Sequence, residues 1–231
     1  MNSLILLIIA ILPIYLIGIY VYNKDNEKEP KKLLRKLFIY GMLSCFPAVA
    51  IELIIGQFFE KEEYMNLLQL LIYVTINIAL VEEICKWFVV YKITYHNKEF
   101  DHVYDAVVYA VFTALGFASL ENIIYVYIGG VGVGIARAIS AIPGHVAFAV
   151  IMANYISKAK LESISNNKAK EIKNLVLSII IPTIIHSIYD YLLFTGKFIL
   201  LIAFAILMIC IYKYSYNKIK LLSNVKTNIP N

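Results

Sequence analysis

Charge is what this chain has least of. Asp, Glu, Lys and Arg make up 16% of its 231 residues, where a soluble domain carries roughly 25%. Cysteine is scarce too, and Cys45, Cys85 and Cys210 stand alone in three separate apolar runs. No CxxC pair and no Cys/His cluster occurs, which excludes a disulfide framework and a zinc-finger scaffold. No HExxH helix occurs, so a metal-dependent hydrolase site would have to be assembled across several segments. The N-terminus has no basic leader and no small-residue cleavage site. A retained first span is therefore expected, not a removable signal peptide. Nothing alternates over ten-residue stretches in the manner of a membrane β-barrel.

Apolar side chains fill the space that charge leaves. They make up 61% of the chain, with a mean hydropathy of +0.74. That is too much for one water-facing globule and fits a bundle whose outside meets lipid. Seven apolar runs, at 3–22, 37–58, 67–91, 104–128, 132–156, 175–195 and 198–214, have about the length that a ~30 Å hydrocarbon core demands. Helices are expected, because backbone groups in lipid must be satisfied within the segment. The fold class is thus all-α, a polytopic membrane bundle of about seven transmembrane helices, and the location is the cell membrane. The chain reads as one integral membrane domain, 1–231, with its chemistry between 67 and 195 and a polar tail, 215–231, expected to fray.

The few charges are ordered. Loop 23–36 holds Lys24, Lys28, Lys31, Lys32, Arg35 and Lys36; loop 92–103 holds Lys92 and Lys98; loop 157–174 and the C-terminal tail are also rich in lysine. The loops between them are poor in it. By the positive-inside rule the N-terminus lies outside and the C-terminus in the cytoplasm, a parity that seven spans satisfy. The net charge of +5 is therefore a matter of topology and lipid head groups, with no nucleic-acid partner expected.

Against this background, ionisable residues inside the apolar runs stand out. Each costs about 2.5–3.5 kcal/mol to insert and marks a polar interior. Span three carries Glu82, Glu83 and Lys86. Glu82 and Lys86 lie at i and i+4 on one helical face, in the favourable order for pairing, while Glu83 points about 100° away. Span four carries Glu121 and Asn122 after the small residues Gly116, Ala118 and Ser119, and Asp105 at its start, where a carboxylate favours a helix N-terminus. Span five carries Arg137, a candidate counter-ion for Glu121, and Pro143-Gly144-His145, where the proline is expected to kink the helix. Span six carries His186 and Asp190, again i and i+4, so that the carboxylate can fix the imidazole's tautomer.

Four carboxylates, Glu82, Glu83, Glu121 and Asp190, face two fixed cations, Lys86 and Arg137. Two negative charges are left over. Burying them unbalanced is prohibitive, so a divalent cation, protonated carboxylates or charged histidines must close the gap. Two hydrolytic readings follow. In one, His145, His186 and either Glu121 or Glu83 hold one divalent metal such as zinc, and a second glutamate activates water. In the other there is no metal: Glu82 is the general base and the histidines stabilise an oxyanion. In both, the base is Glu82 or Glu83, Asp190 orients His186, and Lys86 is a structural counter-ion.

These motifs, taken in order, resemble a known family. Glu82-Glu83-x-x-Lys86, Asp105, Gly116-Phe117-Ala118-x-x-Glu121-Asn122, Pro143-Gly144-His145 and His186-x-x-Tyr189-Asp190 are similar to those of the PrsW intramembrane endopeptidases. That family is distantly related to the CAAX prenyl endopeptidases and the CPBP membrane proteins. The resemblance covers residues 67–195. It implies an all-helical protease that cuts a membrane-anchored protein near the bilayer surface, for example an anti-sigma factor. It also implies an active-site set of Glu82, Glu83, Glu121, His145 and His186, followed by Asp190, and leaves the need for a metal open. Two other classes fit the same residues. An ion- or proton-coupled transporter also needs carboxylates and histidines at mid-membrane, although no inverted repeat is visible. A non-catalytic scaffold that binds a partner's transmembrane helix is the third.

Overall fold

The computed structural model describes residues 3–61 and 64–225, and every extended regular element among them is helical. Helix α1 runs Ser3–Lys24 and α2 Lys31–Gly56. Helix α3, Leu67–Tyr73, passes through a π-helical turn, Val74–Ala79, into α4, Leu80–Thr94. Then come α5, Asp105–Ile139; α6, Ala141–Ile164; α7, Lys168–Phe194; and α8, Phe198–Ser223. Local chemistry sets several of these boundaries. Asn66 caps α3 by accepting from the amides of Leu68 and Gln69, and the Gln69 side chain bonds back to the Asn66 amide, a reciprocal capping box. Asn167 accepts from the Lys170 amide at the start of α7. Gly196 takes φ 61° between α7 and α8, a conformation that favours glycine.

Among the described residues, six stretches are long and apolar enough to cross a membrane, and one of them, Asp105–Ile164, spans 60 residues. That stretch folds back on itself within α5, where Gly130 has φ 75° and ψ −164°. Beyond the turn, a Cβ on Gly134 would lie 3.2 Å from the Val126 side chain. In a straight helix eight residues separate two positions by about 12 Å. The count is thus close to the seven expected.

Three details differ from the reading of the sequence. The fifth apolar run was expected to begin a new span at 132, but α5 holds its chain as far as Ile139. Pro143 does not kink a helix. It sits in the first turn of α6, where the missing N–H has no intrahelical partner to lose. The chain beyond 214, expected as tail, continues as helix to Ser223, because Ser215, Ile219 and Leu222 form a buried stripe at helical spacing. Residues 226–231 of that tail lie outside the described residues.

Helix α5 is the centre of the bundle, packed by α1, α2 and α6, with α7 against α6. Large apolar side chains on the outside, such as Phe58 at 84% and Phe198 at 79% exposure, are stable there only against lipid. The α2–α5 contact is close. A Cβ on Gly116 would collide with the Phe38 carbonyl, and one on Gly41 with the Thr113 carbonyl, so small residues let the two backbones touch. Gly116→Ala or Gly41→Ala is expected to lower stability by about 1–3 kcal/mol, the range for overpacking, read as a fall in the unfolding midpoint in detergent.

Hydrogen bonds gather the lysine-rich loops at one end. Asn26 Nδ2 donates to the Ser223 carbonyl (2.6 Å), the Tyr104 hydroxyl to the Val21 carbonyl (3.1 Å), Lys160 Nζ to the Tyr95 carbonyl (2.9 Å) and the Tyr95 hydroxyl to Glu171 (3.0 Å). The α1–α2, α4–α5 and α6–α7 connections and the end of α8 therefore share one face of the bundle.

Candidate active site

The π-helical turn sits directly before the glutamate pair. Such turns widen a helix by one residue and recur at functional sites. Here it buries Asn77 and hands over to α4, whose first turn carries Glu82 and Glu83 toward the interior at 6% and 0% exposure.

Lys86 is the hub. Its ammonium lies 2.6 Å from Glu83 Oε1, 3.3 Å from Glu82 Oε2 and 3.2 Å from His145 Nδ1, above the Phe117 ring. The i,i+4 pairing with Glu82 is present, but the shorter contact is to Glu83. One helical turn lets a long lysine side chain reach both positions. An ammonium only donates, so His145 Nδ1 accepts and its Nε2–H donates to Glu121 Oε2 at 2.8 Å. Glu121 also meets Arg137 Nη2 at 3.0 Å. Arg137 Nε donates to Asn122 Oδ1 (3.0 Å), and Asn122 Nδ2 donates to the Ala10 carbonyl on α1 (3.0 Å).

His186 is held from both sides. Its Nδ1 is 3.0 Å from Glu83 Oε1 and its Nε2 is 3.4 Å from Asp190 Oδ2. Its ring stacks on Phe148 at 4.5 Å and lies 5.6 Å, centroid to centroid, from the His145 ring. The expected role of Asp190 in orienting His186 has this contact, but Glu83 makes the shorter one. The helix-internal pair was visible at i,i+4, whereas the Glu83 contact joins residues 103 apart in sequence. Asp105 lies elsewhere, sixteen residues before Glu121 on α5. It ties down the turn before its helix, its Oδ2 accepting from the amides of Asp101 (3.0 Å) and His102 (2.6 Å).

Beside this network is a cavity of about 560 Å³ lined by Glu82, Glu121, Arg137, His145, His186 and Asp190. Glu83 and Lys86 lie behind its wall. Glu52, Asn77 and Cys45 also line it and were not singled out from the sequence. Glu52 is the one carboxylate inside the second apolar run, so the cost of burying a charge there was the signal that could have found it. Exposed apolar residues, Leu53, Ile124 and Phe194, form the rim.

By type, two imidazoles and several carboxylates suit a divalent metal, and three buried acceptors, Glu83 Oε2, Asn77 Oδ1 and Asp190 Oδ2, have no hydrogen-bond partner. The donors stand in pairs: among the described residues, no three groups of this network place ligand atoms within 4.8 Å of one another.

Comparison with known proteins points to the same family as the resemblance. The model of the "PrsW family intramembrane metalloprotease" matches residues 29–214. Protease PrsW of Oceanobacillus iheyensis is 36% identical over 197 residues, covering 84% of this chain and 86% of that protein. Protease PrsW of Clostridioides difficile is 34% identical over 212 residues, 88% of this chain and 86% of that one. Protease PrsW of Bacillus subtilis is 33% identical over 181 residues, 75% and 76%. No solved structure matches. With helices built to cross a bilayer and a match that runs from the α1–α2 loop into α8, this multi-pass membrane protein belongs to the PrsW family of intramembrane metalloproteases.

Proposed function

We propose that the cavity is where a membrane-anchored protein is cut, and that Glu82 is the general base. The observation that carries this is the division of labour in the glutamate pair. Glu82 lines the cavity, whereas Glu83 is fully buried and bonded to Lys86 and His186. A base must reach a water beside the substrate. In this reading Glu82 takes a proton from water as its oxygen attacks the peptide carbonyl, and that proton passes to the leaving amine as the C–N bond breaks. Without a metal, His186, fixed by Glu83 through Nδ1, donates from Nε2 to the developing oxyanion. His145, set by Lys86 and Glu121, shapes the carboxylate side, its Nδ1 being 3.9 Å from Glu82 Oε2.

In the metal-assisted alternative, His145 and His186, with Glu121 or Glu83, would instead hold the metal that the family's description implies. There it would polarise the carbonyl and acidify a bound water. The gathered basic loops support a cytoplasmic C-terminus and an N-terminus outside. The rim at Leu53, Ile124 and Phe194 then opens toward the outer leaflet, and its apolar side chains admit a transmembrane segment. A regulator with a single span, of the anti-sigma type, suits such an entry.

The test is reconstitution in liposomes with a single-span reporter protein. Two fragments are expected, joined at a bond near the outer interface in the uncut protein. Proton flux without cleavage would overturn the reading in favour of transport. Chelation is expected to suppress cleavage and added Zn²⁺ to restore it. Elemental analysis is expected to find one ion per chain in this site, lost in His145→Ala.

A further inference from the structure

About 24 Å from Glu121 along α5, at 1.5 Å per residue, a second group of carboxylates has no part in the proposed chemistry. Asp25 and Glu29 come from the α1–α2 loop and Asp105 opens α5. Each offers a ligand oxygen, and the three oxygens lie within 4.8 Å of one another. They are buried, at 5%, 5% and 0% exposure. Acidic clusters on a surface are ordinary; three interior carboxylates are not, because like charges taken out of water repel at full strength.

The bonds they already make account for only part of each group. Asp25 Oδ1 accepts from the Glu27 amide (3.2 Å), Asp105 Oδ2 from the Asp101 and His102 amides, and Glu29 Oε2 from the Tyr109 hydroxyl (2.6 Å). Asp25 Oδ2 and Asp105 Oδ1 are buried with no partner. The neighbouring ammonium, Lys28, donates instead to the Tyr22 and Asp25 carbonyls (2.7 and 2.5 Å). Among the described residues no lysine or arginine forms an ion pair with any of the three carboxylates.

We propose that Asp25, Glu29 and Asp105 form a binding site for a hard divalent cation, Mg²⁺ or Ca²⁺, that fastens the α1–α2 loop to the start of α5. Oxygen-only donors and a preference for carboxylates select this class of ion over zinc. The site is separate from the cavity and does not depend on the protease reading. Its role is structural: the ion balances charge that the fold otherwise leaves open and closes the lysine-rich end of the bundle.

The experiment uses the full chain in detergent, with Glu121→Gln and His145→Ala introduced to remove donors of the cavity, and Mn²⁺ as a spectroscopic probe for the hard-ion site. One Mn²⁺ per chain is expected by electron paramagnetic resonance, displaced by Mg²⁺ or Ca²⁺, together with an unfolding midpoint that rises with ion concentration. Asp25→Asn and, separately, Glu29→Gln are each expected to weaken Mn²⁺ binding by about 10-fold or more, since charge count sets affinity at such sites. Absence of bound Mn²⁺ at millimolar concentration would overturn the proposal. So would unchanged binding in both variants, or a midpoint indifferent to all three ions, the result expected if the carboxyls merely share a proton. Two single variants, at separate positions of the α1–α2 loop, keep the test decisive if one of them fails to fold.

Discussion

Glu82→Gln should lower reporter cleavage by about 10²–10⁴-fold, the contribution of a positioned general base, while the protein unfolds at nearly the wild-type temperature. Glutamine keeps the length and volume of the side chain and can still accept from Lys86, now 3.3 Å from Glu82 Oε2. What it loses is the ability to take a proton from water. Glu83→Gln should behave differently. Glu83 Oε1 is shared by Lys86 at 2.6 Å and His186 at 3.0 Å, so activity and unfolding midpoint should fall together. Measuring both quantities for both variants separates base from anchor. If Glu82→Gln cuts at the wild-type rate, the assignment of the base is wrong. A proton relay would retain function in Glu82→Asp, whereas a base positioned against a peptide carbonyl loses reach when one methylene is removed.

Lys86→Met should destabilise the protein by about 3–5 kcal/mol, the usual effect of removing one partner from a buried ion pair. At 2% exposure, Lys86 is the cation closest to both Glu82 and Glu83. Methionine fills much of the same volume, so the loss is one of charge and not of packing. The compensating change should show this: Lys86→Met with Glu83→Gln should recover a large part of the lost midpoint, although not the activity. Unfolding of the single and double variants in detergent gives the coupling directly. Additive losses would mean that the two groups do not stabilise one another.

What the sequence made legible was the part of the site that is local or governed by depth. The Glu82–Lys86 and His186–Asp190 pairs sit at i and i+4, so helix geometry alone brings each together. Arg137 and Glu121 were paired because two spans joined by a short turn place them at similar depth. The apolar runs could be read because lipid demands length and hydrophobicity and little else. The rest depended on helices meeting. The Glu83 contact with His186 joins α4 to α7, and no periodicity encodes it. The π-helical turn is not announced either, since VTINIA carries no glycine or proline. Nothing in the loop sequence marks Asp25 and Glu29 as buried, because a loop's exposure depends on what it is pressed against.

The reversal at Gly130 has a practical consequence. A Cβ at Gly130 or Gly132 would meet nothing within 4 Å, so this corner is the place between Glu121 and His145 where the chain can be lengthened without pushing on a neighbour. A short epitope spliced there should leave both histidines where they stand. Antibody binding to intact cells, set beside binding to opened ones, would then report which compartment the corner faces.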